Sequence, residues 1–305
     1  MSLPPAFGRE PVQVRVAATS ANLGPGFDAL GLALAIYDDV TAQVTDTPGL
    51  RIDVTGEGAP DVPRDESHLV VRSMRAAFDR LGAEPVGLEL SCVNRIPHGR
   101  GLGSSAAAIV SGLVLARALV PAGRTTFDDA ELLALAARIE GHPDNVAACL
   151  LGGLTIAWTQ DGARAVRLEP GADLRPVIFI PATSASTELA RDALPERVPH
   201  ADAAFNAARS ALLVAALTGT AGLLLPATQD RLHQPYRAAS MPESAALVAA
   251  LREGGFAAVI SGAGPSVLAF ATADSELATL FGFRPEGWAV TRAEIDRGGA
   301  TITAV

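Results

Sequence analysis

Residues 86–119 restrict the fold more than any other stretch of this 305-residue chain. An alternating run over 86–96 reads as a strand ending at Pro97. Next come His98-Gly99-Arg100-Gly101-Leu102-Gly103-Ser104-Ser105, and then an alanine-rich helix expected over about 106–119. Glycines let the backbone turn tightly and leave no Cβ in the way of a ligand. The helix start aims uncommitted amides and the positive end of its dipole into that turn, which makes an anion cradle. Ser104 and Ser105 are placed to cap the helix or to reach a phosphate or its metal. A plain glycine-rich turn with a serine cap has the same local pattern, so the loop needs company before it means phosphate.

All 24 basic residues are arginine; there is no lysine. That excludes a pyridoxal Schiff base, a G-x-x-x-x-G-K-[ST] loop and a protein-kinase β3 lysine. Anions must be held by arginine, backbone amides, helix starts or a metal. A net charge of −9 argues against nucleic acid as a partner. Cys92 and Cys149 suit neither a disulfide framework nor a zinc site, which points to a reducing cytoplasm. No signal peptide is read at the N-terminus, and residues 211–227, broken by Gly219, Gly222 and Pro226, read as a buried helix and turn rather than a membrane span.

Strands are expected at 12–16, 34–44, 50–55, 86–96, 154–159, 163–168, 175–181, 257–261, 266–272, 288–295 and 300–305. Helices are expected at 67–81, 106–119, 130–139, 145–151, 187–193, 201–217 and 243–253, with Gly82 closing the first and Asp128 and Asp129 capping the third. The two types mix without strict alternation, so the class is α+β. Linker composition at 169–173 divides the chain into residues 1–168 and 169–305.

Three further segments stand out. Glu140-Gly141-His142-Pro143-Asp144-Asn145 is a dense polar cluster in which Glu140 suits a magnesium site completed by phosphates, although a turn capped by Asp144 explains it equally. Thr19 to Asp28 is a loop of small residues with Asn22 and Asp28, fit for a small polar molecule or for a structural Ω-loop. Ser261-Gly262-Ala263-Gly264-Pro265-Ser266 is sufficiently explained as a turn between strands.

Together the four segments resemble the GHMP small-molecule kinases. The loop at 97–107 is similar to their ATP phosphate loop, and the turn at 261–266 to their third motif. Ala18-Thr19-Ser20-Ala21-Asn22-Leu23-Gly24-Pro25-Gly26-Phe27-Asp28, with His142-Pro143-Asp144-Asn145-Val146-Ala147, resembles the homoserine kinase branch. Branches that place a lysine near the reacting hydroxyl are excluded, because this chain has none.

The resemblance implies a two-domain fold, ribosomal protein S5 domain 2-like then ferredoxin-like. It implies ATP-dependent phosphorylation of L-homoserine in threonine biosynthesis, with Mg²⁺, in a cytoplasmic homodimer. Pro97, Gly99, Arg100, Gly101, Leu102, Gly103, Ser104 and Ser105 would hold the nucleotide, and Ser104 with Glu140 the metal. Asn22, Asp28, His142, Asn145, Thr187, Arg191, Arg237 and Gly264 would line the substrate site. Asp28 and Asn145 would serve the reaction, and the two arginines would grip the substrate carboxylate. Open alternatives are a GHMP kinase for another small alcohol and a sensor that keeps the pocket without turnover.

Overall fold

The computed structural model describes residues 7–185 and 187–304. The first half is one mixed sheet: β1 (Val12–Ala21), β2 (Leu30–Thr45), β3 (Gly49–Gly56), β4 (Gly87–Asn94), β5 (Leu154–Thr159) and β6 (Ala163–Leu168). Its order is β11-β1-β2-β4-β3, with β5 pairing to β2 and β6; β11 (Thr301–Ala304) comes from the far end of the chain. The sixteen-residue β2, paired with β1 on one edge, is long enough to serve two partners on the other, β4 through Asp39–Thr45 and β5 through Leu30–Leu32.

Helices α1 (Leu69–Leu81), α2 (Ser104–Leu119), α3 (Gly123–Thr126), α4 (Asp129–Glu140) and α5 (Asp144–Leu151) complete this half. α2 is apolar almost all round and buries twelve of its residues, because it lies between the sheet and the helices α1 and α4. Gly82 ends α1 in the left-handed conformation, and Asp128 accepts the amide of Glu131 to start α4, both as their residue types require. Cys92 and Cys149 are buried, and burial pushes their thiols up, Cys92 to about 12.

The second sheet is antiparallel, β10-β7-β9-β8, from β7 (Arg175–Pro181), β8 (Ala257–Ile260), β9 (Val267–Ala271) and β10 (Trp288–Arg292). Around it lie α6 (Thr187–Asp192), α7 (His200–Thr218), α8 (Leu224–Ala227), α9 (Gln234–Arg237), α10 (Pro242–Glu253) and α11 (Asp274–Leu280). Among the described residues no helix is long and apolar enough to cross a membrane.

Two differences from the sequence reading matter. Residues 301–304 do not stay with the second half; they pair antiparallel with β1, Val12 opposite Ala304, after a turn in which Asp296 accepts the amide of Gly299. Residues 233–237, outside every expected helix and strand, contain the short helix α9, and the amides of His233 and Gln234 at its start are taken by the buried carboxylate of Asp230. Val305 lies outside the described residues.

Candidate active site

The glycine loop leads into α2 through Gly103, which is left-handed at φ 72°; neither serine caps the helix. Among the described residues the amides of Ser104, Ser105 and Ala106 have no backbone partner, since the first closing bond is Ala107 N–H to Gly103. The helix therefore presents an uncapped, donor-rich start of the kind that receives phosphate. The glycines answer first to their neighbours. A Cβ on Gly101 would come within 2.2 Å of the Ser261 carbonyl oxygen, and one on Gly103 within 1.9 Å of Thr19 Oγ1.

Those neighbours show how the four sequence segments meet. The turn at 261–266 is more than a strand connection: Ser261 Oγ lies 2.7 Å from the Gly101 carbonyl, and Gly262 N–H donates to Ala21. Asn22 Nδ2 donates to the Gly262 carbonyl, while its Oδ1 accepts the amide of Asp28. In this loop Asn22, Leu23 and Asp28 are all left-handed, a conformation that is costly for Leu23. The second half holds it in place: Asn206 and Ser210 of α7 both donate to the Pro25 carbonyl, and His233 Nε2 donates to Gly24. It is a braced loop.

Between these segments is a cavity of about 180 Å³ lined by Asn22, Asp28, residues 99–105, Glu140, His142, Asp144, Asn145, Arg191, Arg237, Gly262 and Ala263. Asp28 and Arg191, 163 positions apart, form a bidentate pair at 2.7 and 3.1 Å. Arg237 is 2% exposed. Its Nε donates to the Ala190 carbonyl and its Nη1 to His233 Nδ1, and among the described residues no carboxylate lies within ion-pair distance. Burial, then the neighbouring Arg191, pull its pKa down. His233 is held neutral, burial being the main cause, with Nε2 protonated towards Gly24 and Nδ1 accepting from Arg237.

At the other end, Asp144 lies 1% exposed, and its Oδ1 accepts from His142 Nδ1 and from the Asn145 amide. It sits in the first turn of α5 rather than at its N-cap, which is Pro143. Burial opposes a charge on His142, but the hydrogen bond and charge of Asp144 outweigh it and raise the pKa. Asn145 Oδ1 accepts from Thr19 Oγ1 at 2.7 Å. Glu140 accepts from Ser105 Oγ at 2.6 Å, and burial raises its pKa against that bond.

Several expected site residues behave differently. The hydroxyl that reaches Glu140 belongs to Ser105, not Ser104, although both line the cavity. Arg100 spends its guanidinium on the carbonyls of His98, Pro181 and Ala182, strapping the loop to β7. Pro97 and Gly264 are not lining residues; Gly264 packs against Met241, and Gly262 and Ala263 face the cavity instead. Thr187 opens α6, and its side chain lies outside the described residues.

The sequence reading missed a second cavity, about 270 Å³, that shares Ser104 and Ser105 with the first. Val40, Val62, Leu69, Val70 and Ala108 make it apolar, and His68 lines it with a buried, unpartnered Nδ1. No local pattern announces it, because its walls come from four separate elements.

Comparison with known proteins defines the class. GHMP kinases N terminal domain matches residues 68–153 and GHMP kinases C terminal matches 212–281, so the chain belongs to the GHMP kinases. The homoserine kinase of Streptomyces coelicolor is 60% identical over 301 residues, covering 98% of this chain and 96% of that one. That of Clavibacter michiganensis is 52% identical over 305 residues, covering 98% and 96%. The chain belongs to the homoserine kinase family. The crystal structure of a homoserine kinase from Cytophaga hutchinsonii superposes at TM-score 0.85 with 29% identity, over 99% of this chain and 100% of that one. A mevalonate kinase from L. major shares the fold, at TM-score 0.65 and 17% identity.

Proposed function

We propose that the chain transfers the γ-phosphoryl group of ATP to the side-chain hydroxyl of L-homoserine, giving O-phospho-L-homoserine and ADP for threonine biosynthesis. The observation that carries this is Arg237: a buried guanidinium without a carboxylate partner among the described residues, beside Arg191 and Asp28, in the cavity that the phosphate loop closes. A substrate carboxylate supplies the missing counter-charge, and a guanidinium fork matches it in two bonds. The Asp28–Arg191 pair then exchanges partners. The substrate ammonium takes Asp28, and its carboxylate takes Arg191 and Arg237, so only a zwitterion replaces both charges of the pair.

The triphosphate lies on the free amides of Ser104, Ser105 and Ala106, and the base in the apolar cavity beside them. Among the described residues no group of three acidic, histidine or cysteine side chains suits a metal alone. Glu140 with Ser105 beside it fits Mg²⁺ that is otherwise coordinated by phosphate and water. Bound there, Mg²⁺ would neutralise charge on the phosphates. Asn145 has no basic atom; with Asp144 and His142 it orients the reacting groups. The hydroxyl oxygen forms the new P–O bond as the bond to ADP breaks, and its proton passes late to the transferred phosphoryl group, with Asp28 aligning the hydroxyl.

The nucleotide half in this reading is residues 1–168 with 301–304 returning to its sheet, and the rest of 169–305 is the second unit. A cytoplasmic homodimer completes the proposal, checked by light scattering. The deciding assay is ATP consumption coupled to ADP detection with L-homoserine, mevalonate, galactose and shikimate, and phosphorus NMR of the product. Turnover with homoserine alone is expected. Tight ATP binding with no phosphohomoserine formed would mean a sensor.

A further inference from the structure

The second half contains another cavity, about 560 Å³, between α7, the segment 228–235 and α10. Its wall is apolar where Met241, Val248, Ala258 and Ile260 face it, and it also carries three arginines, Arg209, Arg231 and Arg252. The guanidiniums of Arg209 and Arg231 stack on the one ring of Phe205, 4.5 and 3.9 Å from its centroid, which keeps two like charges close together.

The counter-charge is incomplete. Arg231 pairs with Asp202 at 3.1 Å. Asp230 is consumed by the amides of Leu232, His233 and Gln234. Among the described residues Arg209 donates only to the Gln229 side-chain oxygen. Arg252 donates to Thr228 Oγ1 and to the carbonyls of Leu225 and Ala258, and burial alone moves its pKa, downward. Neither Arg209 nor Arg252 has a carboxylate within ion-pair distance among the described residues. An excess of positive charge over an apolar floor, in a chain of net charge −9, matches the two ends of an amphipathic anion.

The cavity also backs onto the active site. Gln234, Pro235 and Ala238, in and just after α9, line it, while His233 and Arg237 of the same turn face the substrate loop. Gln234 further accepts the amide of Ile260, which ties α9 to the cavity floor. A ligand pressing on Gln234 and Pro235 therefore bears on Arg237.

We propose that this cavity is a second site, for a small carboxylate with an apolar body, whose head meets Arg209 and Arg252 and whose occupancy is transmitted through α9 to the homoserine pocket. Binding itself needs no catalysis, so this reading can fail while the kinase assignment stands. The transmission rests on that assignment.

The test is calorimetric titration of the full-length protein with 3-phenylpropionate, with L-homoserine and a non-hydrolysable ATP analogue saturating so that Arg191 and Arg237 are covered. Saturable one-to-one binding is expected. The neutral 3-phenylpropionamide should bind at least about tenfold more weakly, and Arg209→Gln should weaken carboxylate binding by a similar factor while basal turnover stays unchanged. In steady state the probe should shift the homoserine KM at least about twofold and leave the ATP KM alone. No saturable binding, equal binding of the amide, or unaltered binding to Arg209→Gln would each overturn the anion site. Loss of binding in Arg237→Met but not in Arg209→Gln would place the probe in the substrate pocket and overturn it too. Binding without a KM shift would overturn the coupling.

Discussion

Replacing Arg237 by methionine removes the charge and keeps most of the side-chain volume. Among the described residues the guanidinium has two anchoring bonds, to the Ala190 carbonyl and to His233 Nδ1, and no carboxylate within ion-pair distance. Among the described residues its other N–H groups meet no acceptor. Losing a charged, buried fork from a bound carboxylate costs about 2–4 kcal/mol. At about 1.4 kcal/mol per tenfold, that is a fall of roughly 30- to 1,000-fold in kcat/KM for homoserine. Stability should move much less. A buried cation without a partner already carries a desolvation penalty, and removing it offsets the loss of about 1 kcal/mol for each of the two groups left unbonded, the Ala190 carbonyl and His233 Nδ1. The melting temperature is therefore expected to stay within about 4 °C of wild type. The assay is initial rate against homoserine at saturating ATP, then against ATP at saturating homoserine, each repeated with 3-amino-1-propanol, which lacks the carboxylate. Wild type should strongly prefer homoserine, and the variant should lose most of that preference. A homoserine kcat/KM within about threefold of wild type, or an ATP KM that rises by the same factor, would refute the reasoning.

Asp28→Asn should raise the homoserine KM, because an amide no longer pairs with the substrate ammonium, and should lower kcat by less than about 100-fold, because it still aligns the hydroxyl; a loss beyond about 1,000-fold in kcat would assign Asp28 as a base instead. Ser105→Ala should raise the half-saturating Mg²⁺ concentration by about tenfold and Ser104→Ala by less, since Ser105 is the residue bonded to Glu140; the reverse order in a magnesium titration would reassign the contact. Gly101→Ala meets the Ser261 carbonyl at 2.2 Å and must hold φ 71°, so it should lower the melting temperature and raise the ATP KM; a wild-type melting curve would contradict the close approach.

The pH dependence has a definite sign. His233 and His68 are pulled below 6.5 chiefly by burial, so the unfolded chain takes up protons that the native state refuses. Their contribution is present above 6.5 and lost as pH falls through it, and His142, raised, contributes in the opposite direction. Thermal unfolding should show stability declining between about pH 7 and pH 5, and His233→Gln should flatten that decline. An unchanged slope in the variant would remove His233 from the account.

Element by element, the chain announces itself through local rules. Leu154–Thr159 and Ala163–Leu168 follow from short strand-forming runs opened by Gly153 and Gly162, Arg175–Pro181 from a continuous apolar run, and α1 and α4 from periodicity with Gly82 and Asp128 at their ends. The glycine-rich loop and the absence of lysine are likewise properties of the sequence alone, and they confine anion binding to backbone amides, helix starts, arginine or a metal. These features depend on residues a few positions apart, within reach of one turn or one pleat.

Tertiary packing decides the rest, because its partners are far apart in the chain and its directions depend on how elements cross. Successive helical side chains diverge by about 100°, so whether Ser104 or Ser105 meets Glu140 depends on how α2 lies against α4. Asp28 finds Arg191 only because α6 is folded over the loop after β1. Arg237 becomes a buried, unmatched cation only through the turn that Asp230 stabilises. The return of residues 301–304 to β1 and the apolar cavity beside the phosphate loop arise in the same way, from surfaces that no single segment contains.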